Sequence, residues 1–167
     1  MKTLTLTLSR LREVLAYDPG TGLFTWVSRS SSRSPAGNTA GCLAPNGYVQ
    51  IRIDGVLYQA HRLAWFYVTG EWPTSLLDHI DLNRANNRWT NLRTASPSQN
   101  SANSPMRRHN STGFKGVTLN RKVGKYRARI TVEHREHHLG FFDTASQAYE
   151  AYRNASLKFH GEFGRAS

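Results

Sequence analysis

The sequence predicts an α+β chain made of two modules, and three observations lead there. Strand-like and helix-like patterns alternate over the first hundred residues. A polar, aperiodic stretch follows at 101–113 (Ser-Ala-Asn-Ser-Pro-Met-Arg-Arg-His-Asn-Ser-Thr-Gly), which reads as a linker region. Beyond it, a strictly alternating run from Tyr126 to Val132 gives way to a helical pattern from residue 145 to about 160. A chain of 167 residues holds one medium domain or two small ones. The expected division is 1–104 for a first module with accessory elements at its start, 105–111 for the linker and 112–163 for a second module.

Each element has its own reason. Leu8, Leu11 and Leu15 recur at helical spacing, so 7–16 reads as a short amphipathic helix. Asp18-Pro19-Gly20-Thr21-Gly22 is a turn cluster, and Leu23 to Val27 a strand. Residues 28–34 are too polar to pack and read as an exposed loop. Tyr48 to Ala60 reads as a hairpin turned by Asp54-Gly55, followed by a buried helix from Ala60 to Thr69 that Gly70 ends. Leu76-Leu77 lead as a short strand into Asp78-His79, and Thr90 to Thr94 reads as a second. Ser96 suits an N-cap, Pro97 the first helical position, and Gln99 completes a capping box, placing Asn100 in the first turn of a helix.

The second module reads as strands near 114–120, 125–133 and 136–142. Tyr126, Ala128, Ile130 and Val132 share one face, and Arg127, Arg129 and Thr131 the other. The apolar face needs a cover, which the following helix offers through Ala148, Tyr152, Ala155 and Phe159. Thr144 and Gln147 form its capping box, and Gly161 suits its end.

Composition narrows the function classes. An apolar share of 38% with four Trp, seven Tyr and seven Phe supports packed cores, and no run of 18 apolar residues suggests a membrane span. Residues 1–16 lack the apolar region and cleavage site of a signal peptide. Cys42 is the sole cysteine, which excludes an internal disulfide and a Cys-rich zinc site and fits a reducing cytosol, so a cytoplasmic location is expected. The net charge of +11 points to a polyanionic partner, most often nucleic acid. Ten Lys and Arg stand against six Asp and Glu before residue 105, and twelve against five from there on, so most of the excess lies in the second module.

The candidate chemistry sits in Asp78-His79-Ile80-Asp81, Asn86-Asn87-Arg88, Asn91-Leu92-Arg93 and Asn100. A strand pair followed by a helix can bring Asp78, His79 and Asn100 around one site. Asp78 and the Asn100 amide offer oxygen to a hard divalent cation. A neutral His79 is suited to take a proton from an attacking water, and Asn91 to hold its ring in the useful tautomer. Taken singly, an Asp-His pair is commonly a strand-end detail and Asn-rich stretches are commonly turns. The ordered combination is far more specific.

Together with His61-Arg62-Leu63-Ala64, these blocks resemble the HNH endonuclease family over roughly residues 45–104, and most of all its branch of phage and intron-encoded homing endonucleases. The resemblance implies a ββα-metal site with one divalent ion, usually Mg2+ or Mn2+, and no zinc. It also implies Asp78 and Asn100 as metal ligands, His79 as general base and Asn91 as the middle Asn of the motif. His61, at a helix start, reads as structural and stays outside the catalytic set.

Gly113-Phe114-Lys115-Gly116-Val117, Gly124-Lys125-Tyr126-Arg127-Ala128-Arg129-Ile130, Leu139-Gly140-Phe141-Phe142-Asp143-Thr144-Ala145 and Ala148-Tyr149-Glu150-Ala151-Tyr152 resemble the plant ethylene-response-factor (AP-two) DNA-binding domain. That resemblance covers about 112–163 and implies a three-stranded antiparallel sheet, packed on one helix, that reads the major groove. Lys115, Arg121, Lys125, Arg127 and Arg129 are the residues expected on DNA, with Lys122 beside them. Lys115, Thr118, Asn120 and His138 depart from the plant pattern, so the plant target sequence does not carry over. His134, His137 and His138 lack the order of a metal motif. The Ser/Arg loop at 28–34 and Arg107-Arg108 are expected to add phosphate contacts.

The expectation is therefore a metal-dependent endonuclease acting on double-stranded DNA, as a monomer without membrane attachment. One active site per copy favours a nick over a double-strand break. The principal rival is a non-catalytic DNA-binding regulator, against which the intact set of Asp78, His79, Asn91 and Asn100 argues. An RNA-binding protein fits the charge but lacks an exposed aromatic platform.

Overall fold

The computed structural model describes residues 6–28, 35–106, 109–133 and 135–164. Residues 29–34 of the Ser/Arg loop, Arg107, Arg108 and His134, with the contacts expected of them, lie outside the described residues. Two compact units divide after Thr94.

In the first unit, Thr7 caps α1 (Leu8–Val14) by accepting from the Arg10 amide. The helix stops sooner than the leucine spacing predicts. Leu15 is already extended and begins β1 (Leu15–Asp18), which pairs antiparallel with β2 (Leu23–Trp26). Alternation explains the change, because Leu15 and Tyr17 are buried while Ala16 and Asp18 are exposed. The Asp18 carboxylate accepts from Gly20 N and Thr21 Oγ1, both at 2.8 Å, and closes the turn.

β3 (Cys42–Leu43), β4 (Val49–Ile53) and β5 (Val56–Gln59) form a sheet in that order. Asp54 and Gly55 both take positive φ, 48° and 84°, as a tight primed hairpin turn requires. β4 turns Ile51 and Ile53 inward. α2 (Ala60–Thr69) follows without a loop and ends at Gly70, whose φ of 79° lets its N–H return to Phe66 O. Leu63, Ala64 and Phe66 of this helix join Leu11, Leu15, Phe24, Ile51 and Ile53 in one core. β6 (Leu76–His79) pairs with β7 (Leu92–Ala95), and a 3-10 turn, η1 (Trp89–Asn91), leads into β7, shifting this strand from the expected Thr90 start.

In the second unit Ser96 and Gln99 form the predicted reciprocal cap of α3 (Pro97–Asn103), which therefore occupies the start of the expected polar stretch. β8 (Val117–Asn120), β9 (Lys125–Val132) and β10 (Arg135–Phe142) make an antiparallel sheet with β9 central. α4 (Ala145–His160) covers one face and carries the predicted Thr144–Gln147 box, and η2 (Gly161–Phe163) follows it. Val117, Ala128, Ile130, Ala148, Tyr152 and Ala155 are buried as the alternation requires. Phe159 is not. It is 42% exposed and its ring stacks on His137, while Ser156 and His160 are buried, His160 meeting the backbone of Thr131.

The turn between β1 and β2 reaches the segment ahead of η1. Trp89 N donates to Pro19 O at 3.0 Å, Arg88 Nε to Gly20 O at 2.9 Å, and the Tyr17 hydroxyl to Asn87 O at 2.7 Å. Gly22, at φ 76°, makes this approach possible, because a Cβ there would sit 2.4 Å from Arg88 N. Gly22→Ala should thus cost about 2–3 kcal/mol of unfolding free energy, where Gly37→Ala, at φ 87° in open space, costs about 1 kcal/mol. Denaturant midpoints of the two variants check this, and equal midpoints would show that the turn does not press on the Asn87–Arg88 backbone.

Candidate functional site

β6 delivers Asp78 and His79 at its end, both buried, with 5% and 4% exposure. The reversal after them is a polar loop tied by its own side chains. Asp81 Oδ1 accepts from Asn83 N at 2.8 Å and Asn91 Nδ2 at 2.9 Å, and Asp81 Oδ2 from Asn86 Nδ2 at 2.7 Å. Burial raises the Asp81 carboxyl, but the bonds from Asn86, Asn91 and Asn83 outweigh it and hold the group below the usual range. Asn91 also accepts from Asp81 N at 3.0 Å and donates to Asn86 O at 2.8 Å. Its side chain is thus engaged in closing the loop. The sequence reading had placed it on the His79 ring.

The ring's partner is Asn87, 2% exposed, whose Oδ1 lies 3.2 Å from His79 Nε2. Asn87 Nδ2 donates to Ala85 O, which fixes the amide so that its oxygen faces the ring. Nε2 then carries the proton in the neutral ring, and Nδ1 holds the lone pair. Burial is the main influence on His79 and keeps its pKa below the usual histidine value despite Asn87, Asp81 and Asp78. The neutral imidazole, the form able to accept a proton, is therefore favoured.

Arg93, Tyr48 and Arg84, to which the sequence reading gave no role, complete the surroundings together with His61. Arg93 Nε and Nη2 both donate to Asp78 Oδ2, at 3.1 and 3.0 Å, so the buried carboxylate has a counter-charge. Tyr48 packs against both His61 and His79, with ring centroids 5.1 and 5.9 Å away, and the Arg84 guanidinium lies 5.0 Å from the Tyr48 centroid. His61 meets His79 edge to face at 5.1 Å, and its buried Nδ1 has no hydrogen-bond partner. Burial first, then the charges of His79 and Arg62, push the His61 pKa down to about 3. Arg93 and Asn87 had a signal, since both stand inside the motif blocks. Tyr48 and Arg84 had none, because only the folded chain brings them to the histidines.

Asp78, His79 and Asn91 are thus assembled within the first unit. Asn100 lies on α3 of the second unit and is exposed. Among the described residues there is no group of three or more His, Cys, Asp or Glu able to enclose a metal ion. A single buried carboxylate without thiolates suits a hard cation that keeps positions for water and phosphate.

On the open face of the second unit's sheet, the pairing places Thr118, Arg127 and Phe141 side by side, then Arg129 with His138 and Thr131 with Glu136. Arg127 Nη2 and Arg129 Nη1 each donate to one oxygen of Glu136, at 2.5 and 2.6 Å, and Arg127 Nε to His138 Nδ1 at 3.4 Å. The face is therefore not purely basic, as the alternating arginines suggested. Lys125 pairs with Asp143 at 3.1 Å, and Arg121 is exposed in the β8–β9 turn. Lys115 is turned away from this role, because its ammonium donates to Ala102 O and Ser104 O at 2.5 and 2.6 Å. Those carbonyls close α3, and the end of a helix attracts a cation. His137 and His138 are neighbours on β10 and point to opposite faces, one to Phe159 and one to Arg127.

Residues 58–102 match the model of the HNH endonuclease family, and the chain is an enzyme that hydrolyses phosphodiester bonds of DNA. It is 31% identical over 106 residues to "Protein 3.8" of Escherichia phage T7, covering 63% of this chain and 87% of that one. It is 33% identical over 125 residues to "Uncharacterized HNH endonuclease L560" of Acanthamoeba polyphaga mimivirus, covering 72% of this chain but only 63% of the longer viral protein. A solved structure described as "DNA binding and cleavage by the HNH homing endonuclease I-HmuI" matches 93% of this chain and 90% of that chain, at 22% identity and a TM-score of 0.45. No helix among the described residues is long and apolar enough to cross a membrane.

His61 makes stability depend on acid. Its folded pKa of about 3 lies below the unfolded value of 6.5, so between them the unfolded chain binds the extra proton. The stabilisation from a neutral His61 is fully present above pH 6.5 and is lost as pH falls towards 3. Denaturant unfolding across this window should show a steep decline in the parent and a shallower one in His61→Phe. Parallel declines would show that His61 titrates normally in the folded state.

Proposed function

We propose that the chain is a metal-dependent endonuclease of the homing type that acts on double-stranded DNA, with its chemistry on Asp78, His79, Asn91 and Asn100. The observation that carries this reading is the fixed His79 ring. With Nε2 donating to Asn87, the lone pair of Nδ1 is the one able to take a proton from an attacking water, beside the buried carboxylate of Asp78. Asn91 supports the base indirectly by closing the loop that holds Asn87.

Asp78 and the amide oxygen of Asn100 are the ligands assigned to one divalent ion, Mg2+ or Mn2+, on the family's residue order. When bound, such an ion stabilises charge on the phosphate and on the departing oxygen. Arg93 opposes Asp78 on one oxygen and holds the carboxylate in place.

The second unit is proposed as the DNA-reading module, with Lys125, Arg127 and Arg129 on its open sheet face and Arg121 in the turn before β9. Its three-stranded sheet with α4 across one face supports the ethylene-response-factor (AP-two) resemblance. Lys115 is left out of that face, since it closes α3. A single copy carrying one site nicks one strand, and the relative in phage T7 suits a phage gene acting in a host's cytosol.

Plasmid cleavage tests the reading. The parent should cut with magnesium and lose activity with EDTA. His79→Ala should abolish cutting with little change in DNA affinity, because removing a base strikes the transition state. Asp78→Ala and Asn100→Ala should lose at least ~10-fold at limiting metal and recover in part with manganese. Undiminished cutting by His79→Ala would overturn the assigned base, and parental behaviour of both ligand variants would overturn the metal assignment.

A further inference from the structure

An acidic side chain stands in the middle of the basic sheet face. Glu136 lies on β10 opposite Thr131, and its two oxygens reach different arginines two positions apart on β9. The arrangement is a three-residue bridge on an open surface, where the side chains of Arg127, Arg129 and Glu136 are 34%, 44% and 40% exposed. Ion pairs at this exposure add little to folding stability. Their consequence lies in what the two guanidiniums are able to do.

A guanidinium has five N–H donors, and the bridge engages one nitrogen of Arg129 and two of Arg127, the second on His138. Each arginine therefore keeps donors for another acceptor while its plane is held in one orientation. The bridge also lowers the local charge from two positive to one. Phosphate attraction depends on that charge and is indifferent to sequence, whereas base recognition depends on the orientation of the fork. An anionic clamp on two arginines acts on the two in opposite directions: it weakens the first and favours the second. Arg129 first, and Arg127 with it, hold the Glu136 carboxyl below its usual range, so the clamp stays charged at neutral pH.

We propose that Glu136 is a specificity-determining residue of this enzyme, a clamp that holds Arg127 and Arg129 in reading geometry and restrains them from indiscriminate phosphate contact. The inference rests on the reading of the second unit's sheet as the DNA-binding face.

The test uses the full chain and a mixed-sequence 30-base-pair duplex without magnesium, titrated from low to moderate salt. Glu136→Gln keeps the size of the side chain and removes its charge. It should bind this duplex ~3–10-fold more tightly at low salt, with a steeper salt dependence by about one phosphate contact. Glu150→Gln, the same change at an exposed position of α4, should move affinity far less. In an Arg127→Gln/Arg129→Gln background, Glu136→Gln should have no more effect than the Glu150 control. Selection from a pool of randomised duplexes should give a clear preference with the parent and a weaker one with Glu136→Gln. If Arg127→Gln and Arg129→Gln weaken binding but Glu136→Gln behaves like the Glu150 control in affinity and in selection, the clamp is refuted and the reading face stands. If neither the arginine variants nor Glu136→Gln change binding, the reading face itself is refuted, and the clamp with it.

Discussion

The hydrogen bond between Asn87 and His79 is the interaction on which the rest of the candidate site depends. A neutral imidazole has one donor and one acceptor nitrogen, and only the acceptor serves as a base. Asn87 decides which is which, because its amide nitrogen is committed to Ala85 O and its oxygen alone faces the ring. Such a decision holds only while Asn87 is immobile. Its backbone carbonyl is gripped by Tyr17, the residues after it are bonded to Pro19 and Gly20, and Gly22 lets the two backbones meet without a Cβ between them. The N-terminal hairpin, without any residue of the nuclease motif, is therefore part of what holds the His79 ring in place.

Electrostatics reinforces the geometry. Burial of His79 favours the neutral ring, and the packing of Tyr48 and His61 excludes water from its sides. Burial of Asp78 would be costly without a counter-charge, and Arg93, two strand positions past Asn91, supplies one. Asp81 is the acid that does the structural work here. Four polar contacts from Asn83, Asn86 and Asn91 gather on it and on its amide, so the Asn-rich loop is a set of turn ties around one carboxylate. The second unit uses the same device at its surface, where one Glu136 orients two arginines.

Much of this was legible in the sequence because local rules decided it. Two reciprocal caps, at Ser96 and Thr144, the Asp54-Gly55 turn and the Gly70 stop all follow from residues within four positions of each other. The alternation of β9 gave the correct buried face. The misreadings share a cause: each concerned a partner on another strand, turn or helix, beyond the reach of local rules. Leu15 left the helix because β2 was available to pair with it. Asn91 serves Asp81 and Asn86, while Asn87 meets the ring, a choice between neighbouring asparagines that spacing does not make. Lys115 found the carbonyls at the end of α3, and Arg127 and Arg129 found Glu136 on the next strand.

The tautomer of His79 is the measurement closest to the central claim. Ring nitrogen–proton correlations in 15N NMR spectra, assigned by comparison with His79→Gln, report directly which nitrogen carries the proton at neutral pH. The account predicts a single Nε2–H tautomer in the parent and a mixture, or the alternative tautomer, in Asn87→Ala. A parent spectrum with the proton on Nδ1, or one that Asn87→Ala leaves unchanged, would contradict it.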